Sequence, residues 1–548
     1  MTILKEFINA CGGKENLQRI QKQGSLVIAE LASPDLRIES AFPVTFNAQL
    51  RQLCWQPDSP LAQQEWQILA RIVDSNLRQK FKKNLTAPSL YKPTWHITAQ
   101  QGFLGDPNGF VFFQGAYHLF YLISPALGEE KILSWAHLSS RDLINWTDHP
   151  LALTPCDWFD SHGVYSGHAI SENQQLMIFY TGNVRIGEQR KRMTYQCLAT
   201  SEDGIHFSKQ GPVIDKLPPG VTAHCRDPKV LRNGDHWLML LGAQLSSGIG
   251  RLACYRSKDL LNWEFSGICG EELGNFGYMW ECPDLLQVNG QLIAIICPQG
   301  IPSNNPHYQV AHHNGYLKAT LNAQDELKLT DFTRLDYGFD FYAMQTVQTP
   351  DNRHLLIAWM GLPDETDHPS KEEGWLHQLT CIRELHFANA KLYQRPAREL
   401  QALRSDYQLF ELPAAVEQQV TVAKERSVEL QMTLSWLAGE TVSLHFMNND
   451  NSYCCLSLDS LRQKIVLDRS LALATDGEKV RELDMPNQDD IQLQILIDQS
   501  SIEIFINDGE FVMTAVVFTE PGQSRLKLVS RQLTHWHPIS CWTLGQRE

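Results

Sequence analysis

Residues 102–121 read GFLGDPNGFVFFQGAYHLFY and predict the first two strands of a repeated β unit. An acidic turn, Asp106-Pro107-Asn108-Gly109, comes before an apolar run, and a Gln-Gly pair separates that run from a second one at 117–121. Proline, asparagine and glycine favour turns, so this aspartate would on its own be only a turn residue. At the head of a strand, however, it is well placed to point into a cleft.

Two kinds of motif recur along the chain. The pattern S-x-D-x-x-x-(W/F) begins at Ser140, Ser201 and Ser257, and the copies lie 61 and 56 residues apart. Short polar motifs that lead into strand-like runs follow a similar rhythm: Asp106-Pro107, Tyr165-Ser166-Gly167, Arg226-Asp227-Pro228, Trp280-Glu281-Cys282 and Phe341-Tyr342-Ala343-Met344-Gln345. Repeats of this length, built from short strands and turns, are typical of β-propeller blades. Five motifs predict five blades. If each motif begins an innermost strand, Asp106, Asp227 and Glu281 converge on one axial pocket.

Four of these segments resemble the motifs of glycoside hydrolase family 32. They are DPNG at 106–109, RDPK at 226–229, YMWECPDL at 278–285 and DFYAMQT at 340–346. Within the family, the chain is most similar to the bacterial members that cleave sucrose and sucrose 6-phosphate. The resemblance implies a mainly β protein with a five-bladed β-propeller over residues 91–405 and a β-sandwich over residues 410–548. Residues 1–90 fall outside it, and we expect a small α/β or helical extension there.

The resemblance also implies an activity and a set of site residues. The activity is hydrolysis of β-fructofuranosidic bonds by a retaining two-carboxylate mechanism, without a metal or a cofactor. Asp106 is then the nucleophile, Glu281 the acid/base, and Asp227 the residue that holds the fructosyl hydroxyl groups. The implied substrate contacts are Arg226, Asn108, Ser166, Trp135, Tyr342 and His168.

The residues themselves suggest how the acids divide their roles. Like charges and burial raise the pKa of one carboxyl group in such a cluster and keep it protonated. Trp280 and Cys282 give Glu281 an apolar setting, so we expect Glu281 to be that group. We expect Arg226 to keep the neighbouring Asp227 ionised.

Four positions depart from the usual family pattern. Gly105 replaces an asparagine, Leu122 a glutamine, Glu130 a tryptophan, and His168 a serine. These changes predict a rebuilt fructose subsite, with weak activity on sucrose and better activity on a modified fructoside. A negative charge at residue 130 would disfavour a phosphorylated substrate unless a nearby base offsets it. An alternative from another class is a sugar-binding or regulatory protein that kept the fold and lost its activity.

Composition limits the remaining possibilities. A chain of 548 residues is too long for a single core, and a net charge of −15 argues against nucleic acid or an anionic membrane as a partner. No run approaches the roughly 20 apolar residues of a membrane span. Thirteen cysteines without zinc-ligand spacing, and an N-terminus without a secretory signal, favour free thiols in the cytoplasm. The expected partner is a small carbohydrate, and a homo-oligomer remains open.

The two ends of the chain give local predictions. Residues 3–20 favour a helix with a Gly-Gly break, residues 26–29 a strand, and residues 63–85 an amphipathic helix. Residues 12–17 faintly resemble the start of phosphotransferase-system IIB domains, but Gln23 stands where their phosphorylated cysteine would be. A small α/β cap is the alternative. Alternating isoleucines and leucines at 491–497 and 502–506, followed by Asn507-Asp508-Gly509, predict a hairpin of the sandwich.

Overall fold

The computed structural model describes residues 2–33, 42–80, 89–125, 127, 131–303, 309–322, 324–423, 426–435, 439–473, 477–486 and 490–545. Within these residues strands predominate, and the mainly β fold expected from the sequence is confirmed. The helices are α1 (Thr2–Ala10), α2 (Gln63–Lys80) and the short 3₁₀ segments Lys14–Asn16, Glu271–Leu273, Pro369–Lys371 and Arg398–Leu403.

The N-terminal unit is a four-stranded antiparallel sheet with two helices. Its strands run in the order β1-β2-β4-β3, with bounds β1 (Leu17–Gln23), β2 (Leu26–Leu31), β3 (Val44–Asn47) and β4 (Gln52–Trp55). Helix α2 buries the predicted face of Trp66, Leu69, Val73 and Leu77, while Phe81 lies outside the described residues. The expected helix up to residue 20 is wrong beyond the glycine break. Gly12 and Gly13 have positive φ and end the helical segment, and the chain then pairs with β2 as a strand.

Five antiparallel sheets form the propeller, each running outward from its first strand. Blade one contains β5 (Gly102–Phe113), β6 (Ala116–Ser124), β7 (Ser134–Ser140) and β8 (Thr147–Leu153). Blade two contains β9 (Val164–Glu172), β10 (Gln175–Ile186), β11 (Lys191–Ser201) and β12 (Ser208–Ile214). Blade three contains β13 (Val221–Asn233), β14 (His236–Leu245), β15 (Gly250–Ser257) and β16 (Glu264–Cys269).

Blade four contains β17 (Met279–Val288), β18 (Gln291–Gln299), β19 (Gly315–Leu321) and β20 (Leu327–Arg334). Blade five contains β21 (Tyr342–Gln348), β22 (His354–Met360), β24 (Gln378–Leu379), β25 (Arg383–Ala388) and β26 (Lys391–Pro396). Each first strand contacts the first strand of the next blade, and β21 contacts β5, which completes the ring. A short strand, β23 (Trp375–Leu376), also pairs in parallel with β5 and ties the end of the propeller to its beginning.

The S-x-D-x-x-x-(W/F) motifs form the turns between the third and fourth strands of blades one to three. In the first copy the Asp142 carboxylate accepts the N–H groups of Ile144 and Asn145, and Trp146 packs beside the turn. The fourth residue of each copy has a positive φ: Leu143, Gly204 and Leu260. The repeat therefore marks a structural turn far along each blade, not a site residue.

The C-terminal β-sandwich consists of two six-stranded sheets. One contains β27 (Arg404–Phe410), β29 (Val428–Ser435), β34 (Asp490–Asp498), β35 (Ser501–Ile506), β36 (Phe511–Val516) and β38 (Ile539–Leu544). The other contains β28 (Ala415–Ala423), β30 (Thr441–Met447), β31 (Tyr453–Asp459), β32 (Lys464–Asp468), β33 (Val480–Asp484) and β37 (Ser524–Thr534). The predicted hairpin is confirmed, because β35 and β36 are joined by Asn507-Asp508-Gly509, all with positive φ.

A buried network of charged groups joins the sandwich to the propeller. His96 lies 2.9 Å from both Asp498 and Glu503 of the sandwich, measured from Nδ1 and Nε2. Arg383 of blade five donates from Nη2 to Glu503 at 2.7 Å and from Nη1 to Asp336 at 3.1 Å. All five side chains are fully buried. Buried charges require such pairing, so each domain supplies counter-charges for the other.

The N-terminal unit packs on the segment that leads into β9. Cys156 lies in its apolar core, and Trp158 packs against that core with Lys22 over its ring at 4.9 Å. Arg78 of α2 donates to the carbonyl of Leu151 at 2.8 Å. All thirteen cysteines are free thiols. No helix in the described ranges is long and apolar enough to cross a membrane.

Candidate active site

An extra residue interrupts the first strand of every blade where the sequence motifs lie. Residues 105–106 stand opposite 122, residues 227–228 opposite 241, residues 282–283 opposite 296, and residues 343–344 opposite 358. In blade two the extra residue is Ser166. Such bulges bend a strand and redirect its side chains, and they are frequent beside active sites. Three bulge residues, Asp227, Cys282 and Ala343, have φ between 47° and 64°, which side chains other than glycine rarely adopt.

The Asp106 carboxylate lies at the bulge of blade one and is held by blade two. The hydroxyl of Ser166 donates a short hydrogen bond to its Oδ2. Burial, and next the charge of Glu281, raise the pKa of Asp106 to about 6, although the bond from Ser166 lowers it. A nucleophilic carboxylate must be ionised to react, so this side chain is competent above about pH 6.

The backbone of Asp227 is held by blade two and its carboxylate by blade four. Its own N–H donates to Thr181 Oγ1 at 2.9 Å, and its Oδ2 accepts the N–H of Cys282 at 3.1 Å. The thiol of Cys282 also lies 3.8 Å from Asp227 Oδ2 and 3.9 Å from Asp106 Oδ2, so one sulfur contacts both acids. Burial, together with Glu281 and Asp106, raises the pKa of Asp227 to about 7 against the opposing effect of Arg226.

Glu281 accepts hydrogen bonds from three side chains. Arg226 donates to Oε1 from Nε at 2.9 Å and also from Nη2, while Oε2 accepts from Gln299 at 2.7 Å and from the hydroxyl of Tyr342 at 2.8 Å. Burial raises the pKa of Glu281, but the charge and hydrogen bonds of Arg226 and the bond from Tyr342 outweigh it, so the net shift is downward. The free site therefore holds Glu281 ionised.

This arrangement corrects two expectations. Glu281 was expected to be the acid with the raised pKa, but its pKa is lowered because it pairs with Arg226. Arg226 was expected to keep Asp227 ionised, but its nearest atom lies 3.9 Å from that carboxylate, and the pKa of Asp227 is raised. The apolar residues beside Glu281 in sequence do not decide its environment, because the bulge turns Glu281 toward Arg226.

The six expected substrate contacts occupy different positions. Ser166, Arg226 and Tyr342 each bond directly to a site carboxylate. Asn108 is fully buried. Its side-chain nitrogen donates to the carbonyl of Asp106 and its side-chain oxygen accepts the N–H of Gly167, so it holds the backbones of blades one and two together.

Trp135 and His168 also depart from the expected role. Trp135 is fully buried and donates to the carbonyl of Tyr165 at 3.2 Å, so its ring is not available to a sugar. His168 lies further along β9, lines an axial channel of about 1010 Å³ and accepts the N–H of Val230 at 3.4 Å. Neither side chain bonds to a site carboxylate, because burial directs both toward the protein interior.

Two of the residues that depart from the usual family pattern, Gly105 and Leu122, lie opposite each other in blade one. Gly105 stands at the bulge opposite Leu122, and a Cβ on Gly105 would lie 2.9 Å from the Phe103 ring and 3.3 Å from Leu122 Cβ. The ammonium group of Lys131 lies 3.7 Å from the centroid of the same Phe103 ring. Apolar side chains therefore surround Gly105, and a lysine lies against one of them. Glu130 lies outside the described residues.

Several residues beside the acids were missed by the sequence reasoning. Gln299 donates to the Glu281 carboxylate from a second strand, and the thiol of Cys282 contacts Asp227 from within a bulge. Thr181, also on a second strand, accepts the backbone N–H of Asp227. The Asn289-Gly290 turn sets the register of β18 on β17 as far as Asp284, but the bulge at 282–283 then shifts it by one residue and pairs Gln299 with Met279, so counting from the sequence alone would have missed the pairing by one. Among the described residues, no group of three or more His, Cys, Asp or Glu side chains is arranged to hold a metal ion.

Known protein families and a known relative match most of this chain. Residues 96–396 match the glycosyl hydrolases family 32 N-terminal domain, and residues 399–543 match the family 32 C-terminal domain. A probable sucrose-6-phosphate hydrolase of Psychromonas ingrahamii is 48% identical over 551 residues, covering 99% of this chain and 98% of the relative.

Two solved structures share the architecture. A sucrose-6-phosphate hydrolase from Lactobacillus gasseri has a TM-score of 0.77 at 30% identity, covering 86% of this chain and 96% of that one. A β-fructofuranosidase of Bombyx mori has a TM-score of 0.74 at 29% identity, covering 88% and 99%.

Proposed function

The chain belongs to glycosyl hydrolase family 32, and from that premise we propose that it is a retaining β-fructofuranosidase whose substrate is sucrose 6-phosphate. The observation that carries this proposal is that Asp106, Asp227 and Glu281 converge in one site. Each carboxylate there accepts a hydrogen bond from a neighbouring blade. The relative named as a probable sucrose-6-phosphate hydrolase, which matches nearly the whole chain, supports the phosphorylated substrate. A sugar-binding protein without activity would not need three hydrogen-bonded acids here, and no observation favours it.

The first chemical step is attack by Asp106 on the anomeric carbon of the fructosyl unit. The bond to the leaving oxygen breaks while a fructosyl ester forms on Asp106, and Glu281 gives its proton to that oxygen. Water then attacks the ester, and Glu281 accepts the proton of this water, which restores both carboxyl groups. Asp227 binds fructosyl hydroxyl groups and stabilises the positive charge of the transition state.

In the free site, the proton that Glu281 must donate in the first step resides on Asp227. Three neighbouring carboxyl groups titrate as a unit, and the raised pKa of Asp227 places a proton there near neutral pH. Fructosyl hydroxyl groups that donate to Asp227 favour its ionised form, and the released proton becomes available to Glu281. Binding of the correct sugar would thus prepare the acid.

The proposal of a phosphorylated substrate differs from the expectation drawn from the sequence, in which the negative charge of Glu130 would disfavour an anionic sugar. That expectation held only without a nearby base, and the pocket carries cationic side chains on the Glu281 side. The thirteen free thiols support a cytoplasmic location, which we include in the proposal.

The test measures hydrolysis of sucrose 6-phosphate and of sucrose by the purified protein and by two variants. Asp106→Asn and Glu281→Gln should each lower kcat by several orders of magnitude. Glu281→Gln should keep more activity on a fructoside with a good leaving group, which needs less protonation. Wild-type turnover in both variants, or hydrolysis of neither sugar by the wild-type protein, would refute the proposal.

A further inference from the structure

The end of the β10–β11 hairpin places two arginines side by side. Arg185 and Arg192 are directly opposite each other in the strand register, with the turn from Gly187 to Arg190 between their strands. Opposite residues of an antiparallel pair share a face, and like charges in that position destabilise the pair. Within the described ranges, no carboxylate forms an ion pair with either guanidinium, although the chain carries a net charge of −15. Both side chains are half-buried and remain accessible to solvent.

This arginine pair lies beside the catalytic acids. The guanidinium carbon of Arg192 is 5.7 Å from the ring centroid of Tyr165, the residue before Ser166. His224 Nδ1 is 3.0 Å from Nη1 of Arg226, which in turn bonds to Glu281. Arg192 and His224 both experience the charges of Arg226 and Glu281. Since Glu281 protonates the leaving oxygen, the pair lies on the side where the leaving sugar must bind.

The local electrostatics leave a positive charge uncompensated. Burial, and then Arg226 and Arg185, lower the pKa of Arg192 despite the opposite effect of Tyr165. Burial, and then Arg226 and Arg192, lower the pKa of His224 to about 4, so this imidazole is neutral near pH 7 and available as a hydrogen-bond partner. An anion placed between the arginines would remove the repulsion that these groups now bear.

We propose that Arg185 and Arg192 bind a phosphate monoester on the leaving sugar, with His224 as a hydrogen-bond partner. Guanidinium groups present forked donors that match phosphate oxygens, and Arg is favoured wherever phosphate is recognised in this way. The inference rests on the proposed function, because it assigns the arginines to the leaving-group side of the same site. It also supplies cationic groups that would offset the charge of a phosphorylated substrate.

The experiment compares kcat/KM for sucrose 6-phosphate with kcat/KM for sucrose. In the double variant Arg185→Gln/Arg192→Gln, the ratio of the two constants should fall about 10²-fold or more, since each charge-assisted bond contributes roughly tenfold or more. Arg192→Lys keeps the charge but loses the fork, and should show a smaller fall. The matched control is Arg141→Gln, an exposed arginine in the turn between β7 and β8, which should leave the ratio unchanged.

A binding measurement separates failure of this site from failure of the proposed function. Glucose 6-phosphate is titrated calorimetrically into the Asp106→Asn protein with and without the double substitution. Loss of binding with the double substitution supports the site even if the wild-type protein hydrolyses neither sugar. An unchanged ratio of kcat/KM in a folded double variant, or equal glucose 6-phosphate binding in both proteins, would overturn the inference.

Discussion

We expect the hydrogen bond from Tyr342 to Glu281 to set the pH range in which Glu281 serves as the proposed acid. The Tyr342 hydroxyl is buried and donates to Glu281 Oε2 at 2.8 Å, which stabilises the ionised carboxylate. A hydrogen bond to a charged group contributes about 1.5–3 kcal/mol, and about 1.4 kcal/mol corresponds to one pKa unit. Tyr342→Phe should therefore raise the pKa of Glu281 by about 1–2 units, while Arg226 and Gln299 still hold the side chain in place.

The assay is the pH dependence of kcat, which reports the enzyme–substrate complex; there the proposed mechanism has the proton on Glu281, and the basic limb reports its loss. Because the general acid must be protonated, a higher pKa moves this limb to higher pH by about 1–2 units. Tyr121→Phe, which alters another buried tyrosine of the propeller, is the matched control and should leave the limb in place. If Tyr342→Phe folds normally and its basic limb coincides with that of the wild-type protein, the proposed link between this hydroxyl and the acid is refuted.

Three further predictions concern stability. The pKa of Asp227 is raised to about 7, so its contribution to stability is present at low pH and is lost as the pH rises through about 7. Asp227→Asn should increase the free energy of unfolding at about pH 8 by at least roughly 1.4 kcal/mol, the equivalent of one unit of difference between the folded and unfolded pKa values, and not at about pH 4. Equal changes at both pH values in urea unfolding would contradict this. Thr181→Val should lower the free energy of unfolding by about 1–3 kcal/mol, because it leaves the N–H of Asp227 unpaired. Thr181→Ser should lower it less, and indistinguishable urea midpoints for the two variants would count against the bond. A chain that begins at Ser89 should fold but expose Cys156 and Trp158, and its Tm and kcat/KM should both be lower. Values identical to those of the full chain in both assays would show that the N-terminal unit does not support the site.

The architecture was accessible from the sequence because it depends on short-range signals. Each blade begins with a polar motif before an apolar run, and the turn motifs beginning at Ser140, Ser201 and Ser257 recur once per blade in the first three blades. The sandwich was equally readable, since alternation with a period of two reports one buried face. These features are set by neighbours in sequence, so the expected five blades and two-sheet domain were found.

The electrostatics of the site were not accessible, because they depend on bulges. An extra residue in a strand leaves no reliable mark in the sequence, yet it decides which side chain turns toward the axis. Arg226 and Asp227 are adjacent in the chain, and sequence reasoning paired them. The bulge instead directs the guanidinium to Glu281, 55 residues away. The N-terminal strand β1 was missed for a related reason, since pairing with β2 overrides local helical preference.

The buried charges between propeller and sandwich restrict how this enzyme can be recombined with its relatives. Asp498 and Glu503 belong to the sandwich, but their cationic partners, His96 and Arg383, belong to the propeller side. A chimera whose incoming sandwich lacks a carboxylate at either position leaves a buried cation without its counter-charge, and an unpaired buried charge costs about 3–5 kcal/mol. A workable exchange of domains therefore has to keep each cation with its carboxylate, wherever the crossover between the two domains is placed.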